Sequence, residues 1–563
     1  MPRPFAWERS YPAGLDWGAP IATSTIPQIL AEAAAAHGDA PAIEFRGREI
    51  SFRELHGEAL RFGAALLGAG LKPGDALALY LPNTPVHPIA FFGAAAAGLR
   101  SVHLSPLDAE AELVHKLADS GARTLVTTNV ATLAERARTL LGAGHLDRVI
   151  VGQDELWGPS GTPPVAVPEG PGLITLRAFV AEASAPARWP EVRPSDIALL
   201  QYTGGTTGAP KGAILTHANL TAAVSMYETW FEAQPHDRTG RDSIICVLPL
   251  FHIYALTTIL LRGLKRGAKL LLRMRFDVEA TLRDIEIGRA THFPGVPTMW
   301  IALAAAPGIE SRDFSSLVYA GSGGAPLPVE VAERFERLTG QRLIGGWGMT
   351  ETSPAGTNRL GAGLRKPGTI GLPLPGVEMD VCALDDPARS LPPGRTGELR
   401  IRGPNVTQGY WNCPEETRAA FVDGWFLTGD IGHMDEDGFF FITDRKKDMI
   451  ISGGFNVYPQ MIEQAIYRHP AVEEVLVVGI PDPYRGEAAK AFCKLRAGHP
   501  PFTLEALQGF LQDALGRHEM PTALEIRPAL PRTAIGKLSK VELRQEERDK
   551  AAQAGRGMTQ RSM

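Results

Sequence analysis

The chain has 563 residues, of which 44% are hydrophobic and 21% are charged, and its formal net charge is −5. Because this length exceeds what one hydrophobic core usually supports, we expect about two to four domains. The acidic balance, without a long basic run, gives no electrostatic reason to expect nucleic acid as a partner. The four cysteines have neither metal-ligand nor disulfide-framework spacing, which fits a reducing cytoplasm.

The sequence contains no segment that predicts a membrane span. The first residues lack the apolar region of a secretory signal, and the longest apolar stretches, near 90–98 and 253–261, are too short to cross a bilayer. We predict that both stretches are buried elements. Peripheral contact with the inner face of a membrane stays open, because a lipid substrate would bring the protein there, and so does a homodimer.

The first half of the chain alternates helical and strand-like patterns. An amphipathic run at 53–67, an apolar run at 76–81 and a helical run at 86–97 predict α/β layers with parallel strands. The stretch 158–190, rich in Pro, Gly and Ala, predicts a surface excursion. Short strand patterns with turns between 367 and 403 predict a small β-rich subdomain.

A charged segment at 444–448, just after an apolar strand pattern at 439–443, suggests a domain boundary. We predict a large multi-layer α/β N-terminal domain over 1–446 and a small, mobile α+β C-terminal domain over 447–563. In the small domain we expect a helix at 460–468, a strand at 472–478 and a helix at 504–515. The charged tail from Gln545 onward predicts a frayed helix without a role of its own.

The segment YTGGTTGAPKG, residues 202–212, has the composition of a phosphate-binding loop. Glycines let backbone N–H groups approach an anion, threonine hydroxyls donate, and Lys211 supplies positive charge. It is not a Walker A motif, because Pro210 precedes the lysine and a strand pattern follows it. A plain flexible connector between two strands is the alternative.

This loop resembles the phosphate loop of the adenylate-forming superfamily, which includes acyl-CoA synthetases, peptide-synthetase adenylation domains and beetle luciferases. Four further segments occur in that family's order: GWGMTE at 346–351, GWFLTGD at 424–430, DRKKD at 444–448 with SGG at 452–454, and PRTAIGK at 531–537. The resemblance implies that the protein joins a carboxylic acid to AMP and then transfers the acyl group to CoA. It also implies ATP, Mg²⁺ and CoA as ligands.

The resemblance further implies roles for individual residues. It implies an ATP site formed by Thr203, Gly204, Gly205, Thr206, Thr207, Gly208, Lys211, Gly324, Ala325, Pro326, Gly346, Trp347, Gly348, Met349, Thr350, Asp430 and Arg445. The implied catalytic set is Lys537, Glu351, Thr350 and Lys211, with Glu351 as the Mg²⁺ ligand. Without the resemblance, Thr350 and Glu351 would be a helix cap, Asp430 a surface turn, and Arg445 and Lys537 solvated charges.

The C-terminal domain is expected to rotate between two half-reactions. The resemblance places the hinge at Lys447 and the pantetheine arm of CoA beside Ser452, Gly453 and Gly454. Lys537 would reach the substrate carboxylate and the α-phosphate during adenylation and then leave.

The residues that would contact the acyl group allow more than one interpretation. His252 is either beside the substrate carboxylate or a core histidine, and 253–264 supplies an apolar wall for an acyl tunnel or for the core. Acetate-activating relatives carry tryptophan at the position of Gly348, so this glycine, with Gly345, predicts a larger acyl group.

The overall pattern is most similar to bacterial medium- and long-chain fatty acid–CoA ligases. The alternatives are a dicarboxylate or aromatic-acid ligase, a stand-alone acyl-AMP ligase loading a carrier protein, a luciferase-type oxygenase and an inactive nucleotide-binding homologue. Against a multidomain synthetase, the sequence continues only briefly after Lys537.

Overall fold

The computed structural model describes residues 4–161, 163–167, 170–181, 183–203, 210–233, 240–361, 364, 366–452, 455–482, 484–533 and 536–559, the last nine of these by backbone only. The strands are, in chain order, β1 (Pro41–Phe45), β2 (Arg48–Ser51), β3 (Ala76–Tyr80), β4 (Arg100–Leu104), β5 (Thr124–Thr128), β6 (Arg148–Gly152), β7 (Leu173–Thr175), β8 (Ile197–Thr203), β9 (Lys211–Thr216), β10 (Ser243–Cys246), β11 (Lys269–Leu272), β12 (His292–Gly295), β13 (Tyr319–Ser322), β14 (Leu343–Ile344), β15 (Gly346–Trp347), β16 (Thr357–Asn358), β17 (Leu372–Pro373), β18 (Glu378–Cys382), β19 (Gly397–Arg402), β20 (Phe421–Val422), β21 (Trp425–Met434), β22 (Phe440–Arg445), β23 (Ile450–Ser452), β24 (Phe455–Val457), β25 (Val472–Asp482), β26 (Gly486–Leu495) and β27 (Ala523–Ile526).

The α-helices are, in chain order, α1 (Ile26–His37), α2 (Phe52–Gly68), α3 (Val86–Ala96), α4 (Glu110–Ser120), α5 (Ala131–Gly142), α6 (Leu176–Ala181), α7 (His217–Glu232), α8 (Ile253–Ala255), α9 (Arg262–Lys265), α10 (Val278–Glu286), α11 (Pro297–Ala304), α12 (Val329–Thr339), α13 (Pro414–Ala420), α14 (Pro459–Tyr467), α15 (Leu504–Leu511) and α16 (Val541–Thr559). A π-helical turn, Leu256–Leu261, joins α8 to α9. The helix starts follow local chemistry: Ser51 and Glu54 form a capping box at α2, and Thr216 and Asn219 form one at α7.

Two seven-stranded sheets form the centre of the large domain. Their strand orders are β7-β6-β5-β3-β4-β8-β9 and β14-β13-β12-β10-β11-β1-β2. Within each sheet all pairs are parallel except the last, β8–β9 and β1–β2, which are antiparallel. Parallel strands are covered on both faces, and β3 is accordingly buried along its whole length. The predicted α/β layering is confirmed.

A β-rich subdomain follows the second sheet. Strands β18, β19, β21, β20 and β22 pair in an antiparallel sheet, next to the short β15-β16-β17 sheet. Their apolar side chains share one core with the N-terminal residues Phe5 and Trp7. The subdomain predicted between 367 and 403 therefore continues to Arg445 in β22.

The C-terminal unit has its own sheet and its own core. Its sheet has the order β24-β23-β26-β25, with β27 parallel to β26, and α14 and α15 pack on it. The chain leaves the β-rich sheet at Arg445 and enters this one at Ile450. The boundary after residue 446 stays a prediction; it falls within this connecting segment.

Two predictions about peripheral segments were wrong. The stretch 158–190 is more than a surface excursion, because β7 pairs with β6 and extends the first sheet. In the C-terminal tail, Arg527 forms an ion pair with Glu546, and Lys490 Nζ lies 2.9 Å from Glu547 Oε1. Glu547 is buried, so the start of the tail packs on the small domain. Among the described helices, none is both long and apolar enough to span a bilayer.

Candidate active site

A cavity of about 1920 Å³ lies where the two large sheets, the β-rich subdomain and the C-terminal unit meet. Nearly all described candidate residues line it: Thr203, Lys211, His252, Gly324, Ala325, Pro326, Gly345, Gly346, Trp347, Gly348, Met349, Thr350, Glu351, Asp430, Arg445, Lys447 and Lys537. Ser452 is buried and does not line it. The fold thus assembles residues more than 300 positions apart, from Thr203 to Lys537, around one space.

The phosphate loop joins two antiparallel strands, as the sequence predicts. Thr203 ends β8 and pairs in register with Lys211, the first residue of β9. Gly204, Gly205, Thr206, Thr207 and Gly208 lie outside the described residues. Lys211 Nζ is 3.3 Å from Glu416 Oε1 and 5.9 Å from the centre of the Tyr410 ring. The lysine is partly buried on the cavity wall, where it can contact an entering phosphate.

Glu351 is a buried carboxylate held in a fixed orientation. It lies in a short 3₁₀ turn, Thr350–Thr352, directly after β15. The Tyr410 hydroxyl donates a hydrogen bond of 2.8 Å to Oε1. Burial raises the pKa of Glu351, although this hydrogen bond opposes the shift. Tyr410 was missed in the sequence, because nothing in its surroundings there connects it to a residue 59 positions earlier.

A single buried carboxylate fits a divalent cation whose other ligands come from phosphate oxygens. Among the described residues, no group of three His, Cys, Asp or Glu side chains forms an all-protein metal site. Mg²⁺ typically binds through one or two carboxylates together with substrate phosphates and water. Glu351, on the wall of the cavity near Lys211, has the chemistry that this mode of binding requires.

Asp430 and Arg445 are paired by sheet register. They are opposite one another in β21 and β22, with Arg445 Nε 3.5 Å from Asp430 Oδ1. The Trp347 indole donates to Oδ2 over 2.7 Å. Burial raises the pKa of Asp430, while Arg445 and Trp347 act in the opposite direction. Asp430 is therefore not in a surface turn, since it lies inside β21, which continues to Met434.

Lys537 is inserted into the cavity from the C-terminal unit. Its Cε and Nζ lie 2.6 Å and 2.9 Å from the point that a Cβ on Gly324 would occupy. Gly324 has φ +77°, so both its backbone and the lysine require glycine. The Thr298 hydroxyl donates to the Gly536 carbonyl over 3.0 Å, which fixes the lysine loop against the large domain. Thr298 was also missed in the sequence.

The charge of Lys537 is enclosed without an anionic partner. Among the described residues, none forms an ion pair or hydrogen bond with its Nζ. Burial, and then the charge of Arg445, lowers the pKa of Lys537 to about 7. His252 is close enough that the lysine charge, after burial, lowers the histidine pKa well below its usual value. His252 Nδ1 accepts from the Tyr254 backbone N–H over 3.2 Å at the start of α8.

Gly345 and Gly348 allow close packing of neighbouring backbone segments. A Cβ on Gly345 would lie 1.9 Å from Ser322 O, and one on Gly348 would lie 1.3 Å from Pro354 O. Both glycines line the cavity, but their missing side chains are replaced by neighbouring backbone. The argument that Gly348 alone widens the tunnel is therefore incomplete, because a tryptophan there would first displace the segment at Pro354.

The wall predicted to be apolar between 253 and 264 contains polar groups. Tyr254, Thr258 and Arg262 all line the cavity from this helical run. Spacings of four residues place side chains on one helical face. The apolar residues of the run fill the core, which is one of the two predicted outcomes, but the prediction passed over the polar residues that face the cavity, above all the buried Arg262.

The residues predicted to contact pantetheine and to form the hinge lie at the edge of the cavity or away from it. Ser452 pairs with Phe455 and Gly486 inside the C-terminal sheet, and Gly453 and Gly454 lie outside the described residues. Lys447 is exposed at the rim of the cavity. Their assigned roles stay predictions.

Comparisons with known proteins agree with this geometry. The AMP-binding enzyme family matches residues 30–411, and the AMP-binding enzyme C-terminal domain matches residues 461–537. The chain belongs to the AMP-binding enzyme family. Its members include a long-chain-fatty-acid–CoA ligase of Bacillus subtilis strain 168, 37% identical over 96% of this chain and 98% of that protein.

Two further relatives show how the family varies. A feruloyl-CoA synthase of an Amycolatopsis species is 37% identical over 90% of this chain and 95% of that protein. The crystal structure of ATP-bound MatB from Rhodopseudomonas palustris has a TM-score of 0.81 and 28% identity, and covers 93% of this chain and 99% of that one. The protein is thus an AMP-forming acyl-CoA ligase of the adenylate-forming superfamily, which uses ATP, Mg²⁺ and CoA.

Proposed function

We propose that this AMP-binding enzyme activates a medium- or long-chain fatty acid, first as acyl-AMP and then as acyl-CoA, in the cytoplasm or at the inner face of its membrane. The observation that carries the proposal is Lys537, which enters the cavity beside Gly324 from a separate domain. The similarity to long-chain-fatty-acid–CoA ligases over nearly the whole chain supports the acyl class.

In the first half-reaction, a carboxylate oxygen of the acid attacks the α-phosphorus of ATP and pyrophosphate leaves. Both reactants are anions, so the site has to offset their repulsion and the charge that develops in the transition state. Lys537 would contact the carboxylate and α-phosphate, and Lys211 the outer phosphates. Mg²⁺ bound at Glu351 would neutralise charge on the departing pyrophosphate.

The remaining residues orient the nucleotide. Asp430 would accept from the ribose hydroxyls, and Arg445 opposite it would donate to the ribose. The Trp347 indole keeps the Asp430 carboxylate in one orientation through their 2.7 Å hydrogen bond. Gly324, Ala325 and Pro326 would line the adenine.

In the second half-reaction, the thiol of CoA attacks the acyl carbonyl, its proton passes to solvent, and AMP leaves. Lys537 occupies space that this thiol needs, so the C-terminal domain has to turn away first. We place the hinge at Lys447, at the boundary between residues 1–446 and 447–563. Turning would bring Ser452, Gly453 and Gly454 to the pantetheine arm; the position of Ser452 away from the cavity is consistent with this.

A screen of pyrophosphate release tests the function. Straight-chain acids of graded length should support release, with efficiency rising by about 0.8 kcal/mol for each methylene that leaves water and levelling where the tunnel ends. Acyl-CoA should accumulate only when CoA is added. Hydroxycinnamates as the best substrates would contradict the fatty-acid assignment, and equal turnover of a carrier-protein thiol would contradict the choice of CoA.

A further inference from the structure

The far end of the acyl cavity carries a buried arginine. Arg262 lies ten residues after His252, on the helical run that includes the π-helical turn Leu256–Leu261, so several turns of helix separate the two side chains. His252 is at the reactive end, within the electrostatic reach of Lys537. Arg262 therefore marks the opposite end of the space that an acyl group would fill.

The guanidinium group of Arg262 is enclosed, and no acceptor for it lies among the residues that the structure describes. The residue is 9% exposed, and its Cζ lies 4.3 Å from the centre of the Phe231 ring. Its Nε is buried without a hydrogen-bond partner. The ring covers one face of the guanidinium plane, which leaves the N–H groups at its edge available to a ligand.

The acidic residues nearest to Arg262 are engaged elsewhere. Glu228 Oε2 lies 2.8 Å from Lys265 Nζ, and Asp242 Oδ1 lies 3.8 Å from His292 Nδ1. Among the described carboxylates, none comes within 4.0 Å of the Arg262 nitrogens. Another arginine in the cavity wall, Arg359, differs because its Nε donates to the Thr369 carbonyl over 2.7 Å. Arg262 thus keeps its donors free.

Two tyrosine hydroxyls accompany this arginine on the cavity wall. Tyr227 projects from α7 and Tyr319 from β13, and the Phe231 ring packs edge-on against Tyr319 with centroids 5.3 Å apart. Neither hydroxyl has a hydrogen-bond partner among the residues that the structure describes. Burial raises the pKa of both tyrosines, so both remain neutral donors.

A purely hydrocarbon acyl end would leave this cluster unsatisfied. An enclosed charge without a partner is costly, and filling the space with methylene groups would remove the water that now reaches it. A carboxylate would accept from the guanidinium edge in a bidentate arrangement and from the two hydroxyls as well. The donors are therefore complementary to an anionic oxygen group.

We propose that the acid activated by this ligase carries a second carboxylate at its far end, bound by Arg262 together with Tyr227 and Tyr319. The inference rests on the proposed ligase function and narrows its medium- or long-chain fatty acid to one that carries a carboxylate at both ends. Arg262 is then a specificity-determining residue that contacts the substrate remotely from the reacting carboxylate.

The test compares pyrophosphate release with matched acids in the full-length enzyme. We assay wild type, Arg262→Leu and Arg262→Lys with three series of acids: alkanoates, ω-hydroxyalkanoates and α,ω-alkanedioates. Each series runs from octane to hexadecane length. We expect the dioate to exceed the alkanoate of equal length in kcat/KM by about tenfold or more at the best length, with the hydroxy acid between them. Arg262→Leu should reverse that order, and Arg262→Lys should retain part of it.

The matched control is Arg266→Leu. Arg266 is one turn further along and exposed, and its Nη1 lies 2.7 Å from Glu232 Oε1, so its loss should leave the dioate-to-alkanoate ratio unchanged. Alkanoates that outperform dioates at every length in wild type would overturn the proposal, and this result does not depend on the variants folding. A wild-type enzyme that releases no pyrophosphate with any acid would instead contradict the ligase function.

Discussion

Lys537 and Arg262 line the same cavity, and these two cations differ in how they are held. Lys537 comes from the C-terminal unit on a loop fixed by one hydrogen bond, from Thr298 to Gly536. Arg262 belongs to a buried helix of the large domain and is covered by Phe231. Neither has a carboxylate partner among the described residues. Under the proposed function, Lys537 serves a chemical step and then leaves, whereas Arg262 serves recognition and stays.

The largest effect should come from removing the mobile charge. Lys537→Ala should lower the rate of acyl-AMP formation by about 100-fold or more, because an oriented charge at the transition state contributes about 3–4 kcal/mol. Single-turnover pyrophosphate release with dodecanoate or dodecanedioate measures it. Lys540→Ala is a comparison, since this lysine is already paired with Glu463. If Lys537→Ala formed acyl-AMP at a rate within tenfold of wild type, the catalytic role that distinguishes Lys537 from Arg262 would be contradicted.

The sequence predicted the less buried of the two cations, Lys537, and missed the more buried one, Arg262. Lys537, Glu351 and Asp430 could be predicted because each lies in a short motif that resembles a family pattern. Arg262 could not, because it stands alone in an apolar helix, where its burial is set by α7 and β13 from elsewhere in the chain. Tyr410 and Thr298 were missed for the same reason, since their partners are 59 and 238 residues away.

In the fold, too, features with a local sequence pattern were predicted and features that depend on other elements were not. The alternating apolar patterns of the first half predicted parallel α/β layers, because buried strands and amphipathic helices have distinct periodicities. The edge strand β7 and the ion pairs of Glu546 and Glu547 could not be predicted. In both cases the stabilising contacts come from other elements and not from the segment's own pattern: β7 pairs with β6, and Glu546 and Glu547 are held by Arg527, just after β27, and by Lys490 in β26.

A smaller effect is expected from removing the hydrogen bond that orients Glu351, the proposed Mg²⁺ ligand. Tyr410→Phe removes the hydroxyl that donates 2.8 Å to Glu351 Oε1 while keeping the ring near Lys211. Loss of such a supporting hydrogen bond typically costs about 10–100-fold in metal affinity. Adenylation assayed against increasing Mg²⁺ should therefore require more metal, with the maximal rate largely retained. An unchanged Mg²⁺ requirement would contradict the role of Glu351 as ligand.

The domain orientation without ligands should depend on pH through Lys537. An exposed lysine has a pKa of 10.5, while burial lowers the pKa of Lys537 to about 7. Between these two pKa values, the orientation with Lys537 inserted binds fewer protons than the orientation with Lys537 exposed. Raising the pH therefore favours the inserted orientation, and its population relative to the exposed one should rise by up to about tenfold per pH unit. Below about pH 7 both forms are protonated and the dependence ends. Energy transfer between dyes on the two domains measures it, and Lys537→Met should abolish the trend.

The further effect expected at the fixed cation concerns stability rather than catalysis. Replacing a buried ion pair by apolar side chains often stabilises a protein by about 1–4 kcal/mol, because the charges no longer have to leave water. The same desolvation argument applies to an enclosed charge without a partner, so Arg262→Leu should unfold at a higher denaturant concentration than wild type. Arg266→Leu, which removes an exposed ion pair with Glu232, should change the midpoint little. A clear loss of stability in Arg262→Leu would mean that the arginine is structural.

The most direct measurement of the account is the isolated second half-reaction, started from supplied dodecanoyl-AMP and CoA. Lys537→Ala should form acyl-CoA about as fast as wild type, because its charge serves only adenylation. Lys447→Pro should still adenylate but lose thioester formation, because proline fixes φ and hinders the rotation that clears the thiol path. The account predicts this opposite pattern in the two variants. Equal losses in both half-reactions for either variant would contradict it.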